Sequence, residues 1–143
     1  MIGGERRPRF ALLALVALAS AGLCAQAEEC HHYDPEVVTL EGALQLKAFA
    51  GAPNYQSVEF GDQPEAVWIL TLPHPICITG HTDNEGNIAQ FGVQTIEIVP
   101  RTTFTPALSG KAVQVQGILS RAQGAHRHAP VLLRATAVTP NQP

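Results

Sequence analysis

The chain has 143 residues, of which nine are basic and twelve acidic, and its formal net charge is −3. This length predicts a single domain. The acidic balance argues against a protein that binds nucleic acids or anionic membrane surfaces, because phosphate groups attract a basic surface.

The first 27 residues predict a signal peptide. Three arginines before residue 10 give a basic start, Phe10–Ala19 is apolar, and Ala25–Ala27 has the small residues that signal peptidase requires. The apolar segment is shorter than the ~20 residues that span a bilayer as a helix. We therefore expect cleavage after Ala27, no membrane anchor, and a periplasmic or secreted domain over 28–143. A lipid anchor at Cys24 stays open as an alternative, although Leu23 before it fits a lipobox badly.

The predicted mature domain is more acidic than the whole chain and keeps two of three cysteines. Loss of three arginines and Glu5 leaves six basic and eleven acidic residues, which gives a net charge of −5. In an oxidising compartment, Cys30 and Cys77 predict a disulfide. The loop that it closes stabilises the fold by roughly 4 kcal/mol in the chain-entropy model, and Cys30 would hold an N-terminus that otherwise frays.

Alternation of apolar and polar residues predicts an all-β domain with at most one short helix. The predicted strands are Val38–Leu46, Ala66–Leu72, Val93–Val99, Lys111–Leu119 and Val131–Val138. In the first strand Val38, Leu40, Leu44 and Leu46 share one face, and the dense apolar run of the second predicts burial on both sides. Pro106–Gly110 predicts one helical turn, and a loose tail is expected from about residue 140.

Two glycines inside the predicted strands favour a barrel. Gly42 and Gly117 occupy the same place in matching apolar patterns, and glycine weakens a strand unless the strand bends or another backbone comes close. Strongly coiled strands suit a small closed barrel. We therefore predict a five-stranded, OB-like Greek-key barrel pinned by the disulfide. A sandwich is the alternative, although it usually has seven or more strands.

Several motifs, taken in order, resemble a known family. They are Cys30-x-x-Tyr33-x-Pro35, Val38-x-Leu40-x-Gly42, Phe49-x-Gly51-x-Pro53-Asn54-Tyr55, Trp68-Ile-Leu-x-Leu72, Pro75-Ile-Cys77, Leu108-x-Gly110-Lys111-x-Val113 and a histidine-bearing loop before Val131-Leu-Leu133. Together they resemble domain-of-unknown-function family 4431, small exported bacterial proteins, from Cys30 to about Val138. The resemblance implies an exported bacterial protein and supplies neither an activity nor catalytic residues.

The stretch Gly124–Pro130 contains a His-x-His motif. On an extended chain His126 and His128 face the same side, about 6–7 Å apart, so both could reach one Zn²⁺ or Cu²⁺. Two ligands alone do not make a strong site, and the further candidates are His31, His32, His81 and above all His74. Three interpretations stay open: ordinary surface residues, a metal site, or a contact to a partner made by His126, Arg127 and His128.

The stretch Phe49–Tyr55 is a second candidate for binding. Phe49 and Tyr55 could stack on a sugar or contact a partner protein, because aromatic rings supply contact area at low entropic cost. The alternative is a loop that folds back and fills one end of the barrel.

Residues for catalysis are few. Ser57, Ser109 and Ser120 lack the G-x-S-x-G pattern of a nucleophile, and the carboxylates at Asp62 and Glu65 lie in a predicted turn that looks solvated. Phosphate loops and dinucleotide motifs are also missing from the sequence. We therefore predict a protein that is not an enzyme and has no cofactor.

The function predicted from the sequence is that of an exported, non-catalytic binding module. Its partner would be a protein or a cell-envelope glycan, met by the loops Phe49–Tyr55 and Gly124–Pro130, and an inhibitor or immunity-type role fits this format by analogy. The alternative is a periplasmic protein that handles Zn or Cu through His126, His128 and one or two other histidines.

Overall fold

The structure is a computed structural model that describes residues 1, 3, 30–80, 88–124 and 126–142. The predicted signal peptide and Cys24 therefore fall outside the described residues, apart from residues 1 and 3. The strands are β1 His31–His32, β2 Val37–Ala50, β3 Pro64–Thr79, β4 Gln90–Pro100, β5 Lys111–Arg121 and β6 Val131–Pro140. Two 3₁₀ turns, Val58–Phe60 and Pro106–Leu108, are the only helical segments in the described part of the chain. The all-β prediction is confirmed.

The five predicted strands correspond to β2 through β6, each longer than its prediction. β3 continues to Thr79, past Pro73 and Pro75, through an irregular register against β4. The short β1 was not predicted, because two residues carry no periodicity. The predicted helical turn is confirmed at Pro106–Leu108. β6 includes Pro140, and the amide of Asn141 still donates to the carbonyl of Ala112, 2.9 Å away.

The long strands pair into a closed ring. Their order is β1-β3-β2-β5-β6-β4, and β3 also pairs with β4, so that β2, β3, β4, β6 and β5 each have two neighbours within the ring, while β3 also pairs with β1. The pairings within the ring are antiparallel except for the parallel pair β4–β6. The structure thus shows an all-β closed ring of strands, whereas its assignment to the Greek-key OB class stays a prediction.

The predicted disulfide is confirmed, and it fixes the start of the domain against β3. Cys30 and Cys77 are bonded, with Cα atoms 4.8 Å apart. After β1, the amide of Tyr33 donates to Thr79 and that of Asp34 to Leu119, so the segment crosses from β3 to β5. The Tyr33 side chain is fully buried in the core. Its burial raises the pKa of the phenol, and the charge of Arg121 opposes part of that rise.

The strand glycines lie where two backbones approach closely, which is one of the two explanations that the sequence left open. A Cβ atom on Gly42 would lie 2.4 Å from the carbonyl oxygen of Thr71, and one on Gly117 would lie 2.3 Å from that of Arg134. Both distances are far below van der Waals contact, and the opposing atoms belong to backbone that cannot turn aside. Any larger residue at either position would push two barrel strands apart.

Inward-facing residues of all five long strands form the core. Its large, fully buried members include Leu44, Leu70, Ile96, Leu119 and Leu133. Leu46 continues the inner pattern of β2 but is 36% exposed, unlike Val38, Leu40 and Leu44. The reason is that β2 pairs with β5 only as far as Leu44, opposite Lys111, and then continues with β3 as its one neighbour.

We predict that Gly117→Ala destabilises the domain by about 2–3 kcal/mol, the usual range for overpacking a site with no room. The reason is the clash of the new Cβ with the Arg134 carbonyl. Urea unfolding followed by tryptophan fluorescence would measure the loss. Gln116→Ala, at the exposed neighbouring position of β5, is the matched control and should change stability little. Equal midpoints for Gly117→Ala and wild type would contradict the close approach.

Candidate functional site

Two connections contain the residues that the sequence singled out for binding. The β2–β3 loop spans residues 51–63, and the β5–β6 loop spans residues 122–130, of which residue 125 is outside the described part. Glu97 in the middle of β4 pairs with Leu132, the second residue of β6. The β5–β6 loop therefore arrives beside β4 at the point where β6 begins, close to the outer surface of the barrel.

The two loops meet through two pairs of rings. Phe49, at the end of β2, stacks on His128 with the ring centroids 3.9 Å apart and the planes inclined by 11°. Tyr55 lies against His126 at a centroid distance of 4.0 Å and an angle of 39°. We call these four residues the ring surface. The structure thus joins, in one place, two segments that the sequence predicted separately.

Glu97 of β4 anchors the β5–β6 loop through hydrogen bonds to its carboxylate. Glu97 is 4% exposed, and its carboxylate accepts a hydrogen bond from the guanidinium of Arg127 at 3.1 Å and one from the backbone amide of His128 at 2.8 Å. Buried carboxylates are tolerated where opposite charge and donors surround them. Arg127, predicted as a binding residue, therefore forms an ion pair within the protein, although its side chain is 40% exposed.

The β5–β6 loop covers an apolar patch on the outside of the barrel. Val67, Ile69 and Leu132 are buried but do not belong to the core, and they alternate with residues that do. Since successive side chains of a strand point to opposite faces, these three face outward. Ile69 pairs with Glu97, which in turn pairs with Leu132, so the patch lies directly around the anchoring carboxylate. The loop is a cover for this patch.

Asp62 organises the β2–β3 loop. Its carboxylate accepts hydrogen bonds from the backbone amides of Asn54 at 2.8 Å, Gln56 at 2.8 Å and Ser57 at 2.9 Å. The side chain is buried, with 4% exposure, so the expectation of a solvated turn at this residue is wrong. The three loop amides have no strand partner to which they could donate, so the loop winds around the carboxylate that accepts their hydrogen bonds.

The same hydrogen bonds set the charge state of Asp62. Those from the amides of Gln56 and Ser57 lower the pKa of the carboxyl group, burial opposes them, and Asn54 adds to the lowering. Donors that favour the ionised form always act in this direction. Asp62 is therefore ionised at neutral pH and keeps its three acceptor contacts.

Neither Phe49 nor Tyr55 enters the core. Both rings are half-buried against the histidines of the neighbouring loop. The interpretation in which this stretch fills one end of the barrel is therefore not what the structure shows, and Tyr33 is the aromatic residue in the core besides Trp68. Tyr55 has a positive φ of 57°, so the loop holds it in a conformation that a tyrosine seldom adopts.

The structure separates the predicted metal-ligand candidates. His126 and His128 lie together, but each is in contact with an aromatic ring. His74 lies on β3 nine residues beyond Glu65, which pairs with Phe49, a distance of about 30 Å along an extended strand. Among the residues that the structure describes, no group of three or more His, Cys, Asp or Glu side chains could hold a metal ion.

The remaining histidines and serines have local partners or lie elsewhere. His32 Nδ1 is 3.0 Å from the hydroxyl of Thr79, and His81 falls outside the described residues. The hydroxyl of Ser57 accepts from the amide of Glu59, and that of Ser109 from the amide of Leu46. Both hydroxyls thus cap backbone. The Nε2 atom of His128 is buried and has no hydrogen-bond partner among the described residues.

Asp62 and Glu97 are the two residues of the site that the sequence did not identify. A signal existed for Glu97, since a charged residue between Ile96 and Ile98 in a predicted strand faces a surface that could be covered. Asp62 had none, because a carboxylate between glycine and proline is typical of solvated turns.

Comparison of the chain with protein-family models, with curated protein sequences and with solved structures gave no match. The resemblance to family 4431 therefore stays a prediction. The described residues include no helix long and apolar enough to cross a membrane.

We predict that Asp62→Asn lowers the melting temperature at pH 7 by at least about 5 °C, the effect expected in a domain of this size when a charge-assisted network is lost. The amide nitrogen of the new side chain would face backbone donors in place of an acceptor. Thermal unfolding followed by circular dichroism would measure the difference. Glu59→Gln, in the same loop but exposed, is the control.

The difference between wild type and Asp62→Asn should depend on pH with a defined sign. The folded-state pKa of Asp62 is lowered from its ordinary value of 3.8, so the unfolded chain takes up this proton first as the pH falls. The stabilisation is complete above pH 3.8, declines below it, and disappears once the pH passes the lowered pKa of the folded state. A difference that stays constant from pH 7 to pH 2 would contradict the assignment.

Proposed function

We propose that this protein is an exported, non-catalytic binding module of the bacterial envelope, which meets a protein or an envelope glycan through the ring surface. The observation that carries the proposal is the contact of the two candidate loops through Phe49–His128 and Tyr55–His126. Residues far apart in sequence make one surface there, and two of its rings offer area to solvent: His126 is exposed and Tyr55 half-exposed.

The buried carboxylates support this proposal because they fix the surface before any partner arrives. Asp62 holds three amides of one loop, and Glu97 holds Arg127 and His128 of the other. A surface that is already ordered loses little conformational entropy on binding, which raises affinity for a given contact area. The exposed faces of Tyr55 and His126 suit stacking on a sugar or on a flat side chain.

Export is supported by the cysteine chemistry. Disulfides persist in oxidising compartments such as the periplasm, and the bond between Cys30 and Cys77 is present. The predicted signal peptide and the resemblance to an exported family agree with this location.

Export gives a direct prediction. Protein recovered from the periplasm or medium should begin at Glu28, because cleavage after Ala27 follows the small-residue rule of signal peptidase. Intact-mass measurement, with and without reduction, would give both the cleavage site and the mass change of one disulfide. A mass that retains Cys24 with an added lipid would contradict cleavage after Ala27 and establish the alternative anchor.

The second candidate function is the handling of Zn or Cu. It is favoured by the proximity of His126 and His128 and by the Nε2 atom of His128, which has no partner among the described residues. A metal would have to displace Phe49 or Tyr55 from the imidazoles or bind their free edges. Two histidines also leave the usual ligand number incomplete, so we rank this function second.

We predict that binding of an envelope partner survives chelation and depends on Tyr55. Wild type, Tyr55→Ala and the double variant His126→Ala/His128→Ala would be immobilised and tested against envelope extract and against purified peptidoglycan sacculi, with and without EDTA. Tyr55→Ala should lose capture because it removes the exposed ring. Phe91→Ala, which removes a 74% exposed ring from β4, should not.

Melting temperatures of the same proteins with EDTA, Zn²⁺ and Cu²⁺ separate the two functions. A metal that binds the native state stabilises it by about 2.7 kcal/mol at a hundred times its dissociation constant. A binding module should show no metal-dependent rise in melting temperature. A rise of several degrees that the double histidine variant abolishes would overturn the binding proposal in favour of metal handling.

A further inference from the structure

The β2–β3 loop presents a second apolar feature, at its tip. The 3₁₀ turn Val58–Phe60 leaves Phe60 87% exposed and Val58 49% exposed. Neither residue belongs to the ring surface or was singled out by the sequence. A phenylalanine that is almost entirely in water adds nothing to the core, and with Val58 two residues away it gives this ordered turn an exposed apolar tip.

The tip is held by its own hydrogen bonds. The hydroxyl of Ser57 accepts from the amide of Glu59 at 3.2 Å, and the carbonyl of Ser57 accepts from the amide of Phe60 at 3.2 Å. Gly61, with a φ of 104°, ends the turn and donates to the carbonyl of Val58. Asp62 then fixes the start of the same segment. The backbone that carries Phe60 is therefore ordered without any contribution from the phenyl ring.

The sequence on either side of the tip carries charge of one sign. The chain contains no Lys or Arg from Ala48 to Pro100, whereas Glu59 lies within the turn and Glu65 follows it. An acidic surface is repelled by anionic lipid headgroups and by phosphate-bearing polymers. It is attracted to a basic surface, and complementary charge guides association and fixes orientation.

We propose that Phe60, flanked by Val58, is an anchor that inserts into an apolar pocket, rimmed by basic residues, on a partner protein. This inference rests on the proposed function and names its partner class. A protruding phenyl ring with an aliphatic neighbour has no polar group to orient a sugar, but it fits the aromatic-in-pocket contacts that dominate protein interfaces. Preordering of the turn by Ser57, Gly61 and Asp62 reduces the entropy lost on insertion.

The first step of the test is photo-crosslinking of the full chain. One variant carries p-benzoylphenylalanine at position 60, and a matched variant carries it at position 91, where Phe91 is 74% exposed. Both are irradiated in envelope extract of the source organism, and crosslinked proteins are identified by mass spectrometry and purified. We expect a protein that crosslinks from position 60 and not from position 91. Crosslinking to lipid or glycan alone, or to no partner, overturns the proposal.

The second step measures the affinity of that purified protein for wild type, Phe60→Ala, Phe91→Ala and Glu59→Gln. Phe60→Ala should weaken binding about thirtyfold, the size of an interface hot spot, and Phe91→Ala should leave it unchanged. Binding should weaken as salt is added, and less steeply for Glu59→Gln. Equal affinity for wild type and Phe60→Ala overturns the anchor, as does Phe60-dependent binding to phosphatidylcholine vesicles.

Two control measurements separate a loss of folding, a failure of the Phe60 anchor and a failure of the proposed function. Phe60→Ala should keep the wild-type melting temperature because the ring is exposed. If Tyr55→Ala abolishes binding of the purified protein and Phe60→Ala does not, the anchor fails and the ring surface stands as the binding site. If neither variant weakens it, the anchor and the proposed function both fail.

Discussion

The candidate site depends on the parallel pairing of β4 with β6. This pairing closes the ring of strands, and it places Glu97 next to Leu132, so that the chain before β6 must run over the outside of β4. That position brings His128 within hydrogen-bond distance of the Glu97 carboxylate and onto the ring of Phe49. The ring surface is thus a consequence of how the barrel closes.

Two carboxylates are buried among the described residues, which is unusual in a domain of this size, and each of them accepts hydrogen bonds from a loop. Removing a charge from water costs several kcal/mol, which attraction and hydrogen bonds only roughly offset. Asp62 and Glu97 therefore add little net stability, but they make opened conformations of the two loops less stable than the closed ones. If either loop opened, a buried carboxylate would lose its donors, and the amides of Asn54, Gln56 and His128 would lose their acceptors. The carboxylates thus fix conformation, and conformation is what a preordered binding surface needs.

Much of the barrel could be predicted from the sequence because strand signals are local. Period-two alternation identified β2 to β6, and Gly42 and Gly117 indicated either a bend or a close backbone, of which the structure shows the close backbone. The site could not be predicted to the same extent. The contact between Tyr55 and His126 joins residues 71 positions apart and depends on barrel closure, which alternation does not encode. Leu46 illustrates the same limit, since its burial depends on how far β5 accompanies β2 and not on its own pattern.

The residues that hold the two loops in place differ from the residue that the tip of the β2–β3 loop exposes to solvent. Asp62, Glu97 and the stacked pair Phe49–His128 face the protein, and their loss would disturb the loops that they support. Phe60 faces water, and the hydrogen bonds of its turn involve only backbone, Ser57 and Asp62. The exposed ring can therefore change without affecting the fold. If Phe60 is the proposed anchor, such a separation would let the barrel keep its structure while the tip changed to fit a different pocket, and the choice of partner would depend on the few side chains between Tyr55 and Phe60.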